Sequence, residues 1–489
     1  MNRRHFMQSA VAAGVAMAIP VRALTEVVAD VAAVTGDGHS IALERAAVEE
    51  LSNSLRGNLL MPGNPGYDIA RRVLNRGIDK HPALVVQPSG VADIQHAVNF
   101  ARERELLLAV KCGGHSWSGK STCNGGMQID LSTLRHARVD PKARRAYVAG
   151  GSLLGELDRE SMAQGLVTTA GTVSHTGVGG LTLGGGFGRL ARRYGLALDN
   201  VLSLDVVTAD GRLRHASANE NPDLYWALRG GGGNFGIVTS FEFQLHPMQR
   251  QVIAGDMVFP ADRAREVLGF YAEHESDAPD DLYWDAGILA QPGGDPIALY
   301  HFCYSGPESK ADALFAPMRK LKPVADTIAK VDYVEIQRAW DNTDSRSSEY
   351  MKAGFVNENP AELIDRIVDG YETHPARGTV IYCQQSGGAI GRVPVDATAF
   401  AHRKSAGNWF TTVSYAPDED GTPHVNYLKA YWKTLEPFTD GWYTNDAADQ
   451  SQQALHANYQ GNFPRLRKIK NEHDPGNLFR LNANVKPSA

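Results

Sequence analysis

Apolar and polar positions follow three rhythms along this chain. In "HSIALERAAVEELSNSL" the apolar residues recur at helical spacing and predict a helix. "ALVVQPSGVADIQHAVNFARERELLLAVKCGG" reads as strand, turn, helix and strand, with Ser89 at the cap position, a β-α-β unit that ends in a glycine loop. From 127 to 250 the pattern becomes short strands punctuated by glycine. "LDVVTADGRLRHAS" has Asp210-Gly211 placed as a hairpin turn, and "IVTSFEFQLHP" alternates with period two. From about 251 to 435 four β-rich runs stand out: "LYWDAGILAQ", "ALYHFCYSG", "VIYCQQSGGAIGRV" and "WFTTVSYAP". Helical stretches such as "KADALFAPMRKL" and "NPAELIDRIVDGYE" separate them. An antiparallel sheet backed by helices on one side is expected there. The last segment predicts a helix with a basic end, stopped at Asp474-Pro475, then an asparagine-rich tail. The fold class is α+β, divided into 24–250, 251–435 and a C-terminal segment 436–489, without internal repeats.

Composition narrows the function. The chain has 489 residues, enough for two to four folding units. A net charge of -6 with 21% charged residues leaves no cationic excess for phosphate backbones, so no nucleic-acid partner is expected. "MNRRHFMQ" followed by "SAVAAGVAMAIPVRAL" reads as a signal peptide over residues 1–23; Arg3, Arg4 and Phe6 resemble a twin-arginine signal, which exports folded proteins to the periplasm or medium. An uncleaved leader is the alternative. The apolar stretch falls short of the 20 or so residues of a spanning helix, and no membrane span is expected in the mature chain. Four cysteines, Cys112, Cys123, Cys303 and Cys383, lack zinc-ligand spacing; no metal is expected, and Cys303 and Cys383 read as buried thiols that could also meet across strands.

Three glycine loops crowd the first half: "KCGGHSWSG", "GTVSHTGVGGLTLGGGFGRLARRYG" and "LRGGGGNFG". Backbone N–H groups free of Cβ bulk converge on anions, and a dinucleotide pyrophosphate is the guest they suit. Gly231, Gly233 and Gly236 meet the G-x-G-x-x-G spacing, but a strand follows them where the nicotinamide fingerprint needs a helix. The loop 171–188 runs into "RLARRYG", whose helical composition would present an N-terminus to an anion. His115, directly behind two glycines, satisfies a loop hydrogen bond on the plainest reading.

With "GGHSWSG", "GTVSHTGVGGLTLGGGFGRLARRYGLALDNVLSLDVVTADG", "NPDLYWALRGGGGNFGIVTSFEF", "GGAIGRVPVDATAFAHR" and "NFPRLRKIKNEHDPGNLFRLNANV" in order, the chain resembles the FAD-linked oxidases of the vanillyl-alcohol oxidase fold, berberine-bridge-enzyme-like group. That resemblance implies a two-part FAD-binding domain, a substrate domain, and a covalent bond from His115 to the flavin 8-methyl carbon. It implies a single link, because Val173 stands where many members carry a second, cysteinyl link. The flavin-lining residues it implies are Lys111, Cys112, Gly113, Gly114 and Ser116; Gly171, Thr172, Val173 and Thr176; Gly179 and Gly180; Gly233, Gly236 and Val238; and Asn482 and Asn484 of the tail. The resemblance also implies that Thr176 takes the position that gates oxygen.

Hydride transfer to a flavin also needs a group that accepts the substrate's proton. The strand after the family's "HR" motif often supplies Glu or Gln, and alignment places Val413 there. The Tyr-x-Asn of the family matches Tyr443 and Asn445; a phenol with an ordinary pKa of about 10 needs help to act as base. His175 is a candidate proton carrier, and Asp285, Gln384 and Gln385 are further polar candidates. The leading expectation is an oxidase that takes a hydride from CH–OH or CH–NH of a small molecule and passes electrons to O2. A dehydrogenase using another acceptor, and a flavin-bearing binding or resistance protein, are the alternatives.

Overall fold

The computed structural model describes residues 30–289, 294–341, 347–373, 379–446 and 451–488. The signal expected over 1–23 lies outside the described residues. Among the described residues three sheets of four or more strands organise the chain, beside two two-stranded pairings.

The first is ordered Asn58–Leu60, Leu84–Gln87, Met127–Asp130, Leu108–Lys111. Leu84–Gln87 and Leu108–Lys111 each pair in parallel with Met127–Asp130, which slots between them and is buried along its whole length. Helix Val91–Glu103 covers this sheet with Ile94, Ala97, Val98 and Ala101, the i, i+3, i+4, i+7 stripe. Two local expectations change. Ser89 donates its N–H and hydroxyl to Asp93 instead of capping the helix, and that carboxylate also accepts from the Arg56 and Gly57 N–H groups. The stretch beginning "HSIALER" opens as strand Ser40–Leu43, paired with Val31–Val34, and only then becomes helix Arg45–Ser54. Sheet pairing overrides helical spacing there.

The second sheet is antiparallel, in the order Leu213–Ser217, Val201–Val207, Ile237–Gln244, Arg145–Ala149, Ala137–Asp140. Its hairpin turns at Asp210-Gly211, where Gly211 has φ +74. Phe241, Phe243, Leu204 and Val206 share a core with Phe463, Leu466, Ile469 and Val485, so the C-terminal segment returns to this sheet.

The third sheet runs Ala325–Asp326, Gln251–Pro260, Ile297–Tyr304, Leu282–Leu289, Thr379–Gln385, Gly407–Tyr415, Ser348–Val356, all antiparallel, with Ala329–Asp332 added on Gln251–Pro260. The four expected runs are strands; Gln251–Pro260 and Ser348–Val356 are additional ones, and "GGAIGRV" leaves the sheet as the short helix Ala389–Arg392. Helices Ala264–His274, Ala361–Glu372 and Thr422–Leu435 pack Leu268, Tyr271, Ile367 and Tyr431 against Trp284, Tyr300 and Trp409 on one face. Burying side chains of this size stabilises by about 1.5–3 kcal/mol each.

Side chains alternate between faces of a strand, so the register decides what the other face shows. Tyr382 pairs with Phe410 and Gln384 with Asn408. Val413 shares its face with Trp409 and lies in the helix-side core. It cannot occupy a base position, and Asn408, Phe410, Thr412 and Ser414 are the residues of this strand on the opposite face.

Candidate cofactor and active site

The loops that leave the first two sheets meet the open face of the third around a cavity of about 520 Å³. This is within the range of sites that hold cofactor-sized ligands. Cys112, Gly113, Gly114, His115 and Ser116 line it from the first glycine loop. The second loop contributes Gly171, Thr172, Val173, His175, Thr176, Gly179 and Gly180, the third Gly233, Gly236 and Val238, and the tail Asn482. Tyr443, Asn445 and Gln384 line it from the other side. Lys111 and Asn484 stand outside that wall. Lys111 turns its ammonium into the protein, onto the carbonyls of Ala70 and Arg72 and within 3.5 Å of Asp130. Asn484 offers its carbonyl to Gln452, and the tail meets the cavity through Asn482 and Ala483 instead.

Glycine is needed here for two different reasons. A Cβ on Gly113 would come within 2.3 Å of the Gly177 nitrogen, because the first two loops touch backbone to backbone. A Cβ on Gly180 would meet no atom within 4 Å, and one on Gly232 none nearer than 3.9 Å; both residues line the cavity, so a side chain there would take up space reserved for a guest. The helix that faces the cavity is Val178–Gly184, built from the glycine-rich stretch itself; "RLARRYG" contributes only the turn Ala191–Tyr194. The first-turn N–H groups of a helix lack partners within it. Those of Gly179 and Gly180, with that of Gly113, converge beside the Cys112 sulfur, while burial pushes that thiol up to about 11. Donor groups without Cβ bulk, in a slot of this size, fit the pyrophosphate and ring of a flavin dinucleotide.

His115 ends this cradle. Its Nε2 lies 2.6 Å from Nδ1 of His175, with ring centroids 4.5 Å apart, and its Nδ1 is 3.4 Å from the Thr176 hydroxyl. Burial, then the neighbouring His175, drive its pKa down to about 3 against an opposing pull from Asp341, leaving a neutral imidazole. His175 is lowered by burial and raised by Asp341. Asp341 also anchors this loop by accepting from the Ser174 N–H at 2.8 Å and its hydroxyl at 2.6 Å. From beneath, buried Arg189 donates to the Thr172 carbonyl and to Gln337, which donates to the Gly171 carbonyl. Nothing in local sequence marks Arg189 or Gln337, because their roles come from packing between distant segments.

The facing wall is made of side chains. Trp340, Met351, Tyr382 and Phe410 form its apolar part, with ring centroids 5.5 Å apart for Trp340 and Tyr382 and 5.6 Å for Tyr382 and Phe410. The Tyr443 hydroxyl accepts from the Gly186 N–H at 2.7 Å and from Asn445 Nδ2 at 2.8 Å. Burial nevertheless holds its pKa above the ordinary tyrosine value, which makes it a poor base. Asn445 also donates to the Leu181 carbonyl, tying this segment to the glycine helix. The next residue, Asp446, lines the cavity as a carboxyl that burial raises to about 7, and Asn408 Nδ2 donates to it at 3.1 Å. Glu349 also lines the cavity, raised by burial, and its Oε2 has no partner among the described residues. Sequence reasoning missed both acids; for Asp446 the one available signal was adjacency to Tyr-x-Asn. Asp285 is buried behind the wall, bonded to the Tyr283 hydroxyl and the Gln385 N–H, while Gln385 spends its amide on Trp284 and Glu275. All four cysteines are free.

Among the described residues no group of three or more potential ligands could hold a metal ion, and no helix is long and apolar enough to cross a membrane. Residues 82–217 match the family described as FAD binding domain, and residues 442–486 the family described as berberine and berberine like. An FAD-linked oxidoreductase of Dictyostelium discoideum is 33% identical over 450 residues, covering 90% of this chain and 97% of its own. The (R)-6-hydroxynicotine oxidase of Paenarthrobacter nicotinovorans is 28% identical over 89% of this chain and 97% of its own. The solved xylooligosaccharide oxidase of Myceliophthora thermophila, in complex with xylobiose, superposes with a TM-score of 0.81 at 26% identity, over 91% of this chain and 100% of that one.

Proposed function

Because this chain belongs to the FAD-linked oxidoreductases of the berberine-bridge-like group, we propose that it is an exported oxidase with FAD held by one covalent bond through His115. Residues 24–250 and 436–489 form the flavin part and 251–435 the substrate part. The observation that carries the reading is the glycine cradle that ends at a half-buried histidine whose pKa is driven down to about 3. The leader, with its paired arginines, supports export to the periplasm or medium after folding. Val173 at the second attachment position supports a single link.

Bound FAD supplies a two-electron acceptor for a substrate C–H. The chain's own residues do the rest. Trp340, Tyr382 and Phe410 hold a small sugar, aromatic alcohol or related natural product against the cradle and keep water out. Asp446, oriented by Asn408, receives the proton from the substrate's OH or NH, the role the sequence suggested for Tyr443. Tyr443 and Asn445 position the substrate. Thr176 borders the approach for O2, which leaves as hydrogen peroxide. A dehydrogenase would turn over only with a dye acceptor, and a binding protein would bind without turnover.

Denaturing electrophoresis with in-gel flavin fluorescence, beside His115→Ala, tests the attachment: a fluorescent native band and a dark variant are expected, and a dark native band overturns it. Peroxide release from a panel that includes xylobiose and 6-hydroxynicotine tests the chemistry.

A further inference from the structure

We propose that His301, on the substrate sheet, is a positioning residue for the second glycine loop: as the neutral tautomer with its proton on Nδ1 it accepts from Arg189, and Arg189 holds that loop in place. Protonation of His301 undoes the hold. The inference needs only contacts within the chain, so it does not stand or fall with the oxidase chemistry proposed above.

The tautomer follows from the partners. Arg189 donates from Nε to His301 Nε2 at 3.1 Å, and a guanidinium has no lone pair to offer, so this Nε2 carries no proton. The proton sits on Nδ1, which lies 2.6 Å from Asp256 Oδ1. His301 and Arg189 are buried, whereas Asp256 reaches solvent. On the inner side Arg189 donates from Nη1 to the Thr172 carbonyl and to Gln337 Oε1, both at 2.9 Å. Gln337 in turn donates to the Gly171 carbonyl at 2.8 Å and to Asp158 at 3.1 Å. Gly171 and Thr172 line the cavity, so one chain of hydrogen bonds runs from the protein surface to the cradle. Trp340 of the facing wall covers it, its ring centroid 4.6 Å from that of His301 and 5.5 Å from the Arg189 guanidinium.

Charge makes the hold conditional. Among the described residues no carboxylate bonds to Arg189, and its Nη2 has no partner, so the cation depends on neutral acceptors. The register sets His301 between Asp256 and Asp285 on the neighbouring strands. Those two carboxyls, Arg189 and Tyr283 are the charged and titratable groups that face it, and Asp158 of helix Leu154–Met162 lies beyond Gln337. Burial lowers the pKa of His301, the bond to Asp256 opposes this, and Arg189 lowers it further. A second proton would enter at Nε2 and aim one N–H at another. Two donors cannot share that contact, and Arg189 must let go. The folded value lies below the unfolded one, so the contact is whole above about 6.5 and is lost as pH falls below it.

Hydrogen exchange tests this without reference to turnover. FAD-loaded native protein, His301→Gln and His301→Leu are followed at pH 8 and pH 5, with rates corrected for the intrinsic effect of pH. A peptide over residues 171–176 reports on the loop, and one over Met127–Asp130 is the control. Glutamine offers Arg189 an oxygen acceptor that does not titrate in this range; leucine offers none. At pH 8 the loop should exchange about tenfold faster or more in His301→Leu, the scale of a lost hydrogen bond to a charged group, and at the native rate in His301→Gln. At pH 5 the native loop should open, His301→Gln should stay closed, and the control should not change. A loop as protected in His301→Leu as in the native protein overturns the inference. A loop as open in His301→Gln as in His301→Leu makes the role one of packing and overturns it too. Equal opening of native protein and His301→Gln in acid assigns the response to another group, and a native loop that stays closed at pH 5 removes the effect of protonation; either result overturns the inference. If His301→Leu does not fold, the comparison of native protein with His301→Gln decides, and failure of His301→Gln to fold overturns the inference.

Discussion

The two sides of the cavity are built on opposite principles. On the cradle side the backbone does the recognising: Gly113, Gly180 and Gly232 are defined by what a side chain would hit or fill. On the facing side Trp340, Tyr382, Phe410 and Asp446 present rings and a carboxyl from a sheet and from the C-terminal segment. A cofactor common to many reactions is held by a surface that tolerates little change. On the function proposed above, the substrate would be met by a surface whose residues can be exchanged while the strands stay put.

Five substitutions would break or sharpen that contrast, in descending order of effect. Gly113→Ala forces backbone against backbone and should cost about 3 kcal/mol or more, read as a lower midpoint of urea unfolding. Gly180→Leu, by contrast, should leave the flavin-free protein as stable as before or better by about 0.5 kcal/mol, since leucine suits a helix, while bound FAD is lost. Equal destabilisation by the two would erase the distinction between loop contact and reserved space. On the other wall, Asp446→Asn should lower substrate reduction of the flavin by about a hundredfold without changing flavin content. The native rate should rise with pH up to about 7, as the carboxyl loses its proton, and the variant should lack that rise.

Behind that wall, Asp285 is pushed up by burial from 3.8 to about 7. The folded chain then holds a proton that the unfolded chain releases near 3.8. Its contribution to stability is present in full below that value and is lost as pH rises through about 7. Asp285→Asn should flatten this part of the pH dependence of thermal unfolding; an unchanged curve would show that the carboxyl is ionised in the fold. Phe410→Ala is the mildest: loss of one ring contact worth about 1 kcal/mol should raise KM about fivefold and leave stability and flavin attachment near native.

The contrast also explains what was legible in the sequence. A glycine loop announces itself by composition, so the cradle could be read directly, whereas His115 was singled out by the family resemblance alone; the cavity wall contains most of the residues the motifs pointed to. The facing wall depends on register, where a shift of one residue exchanges core for cavity. Val413 was placed on the wrong face for that reason, while Phe410 and Asn408 on the same strand went unnoticed. Asp446 follows a visible motif, but what raises its carboxyl is burial, which arises only when the C-terminal segment closes on the sheet. The helix Val178–Gly184 was hidden by its own glycines, since propensity argues against a helix that tertiary contacts impose.

Asn234 has a consequence for how the protein is made. Its side chain donates to the Ala483 carbonyl and accepts from the Val485 N–H, and its carbonyl accepts from Lys470, so the third glycine loop is buckled to residues translated some 240 positions later. At about 5–20 residues per second, the ribosome spends tens of seconds between the two halves of that clasp. Throughout that interval the nascent flavin half lacks the segment that seals it, and a chaperone or the cofactor itself has a defined window in which to engage an open cradle.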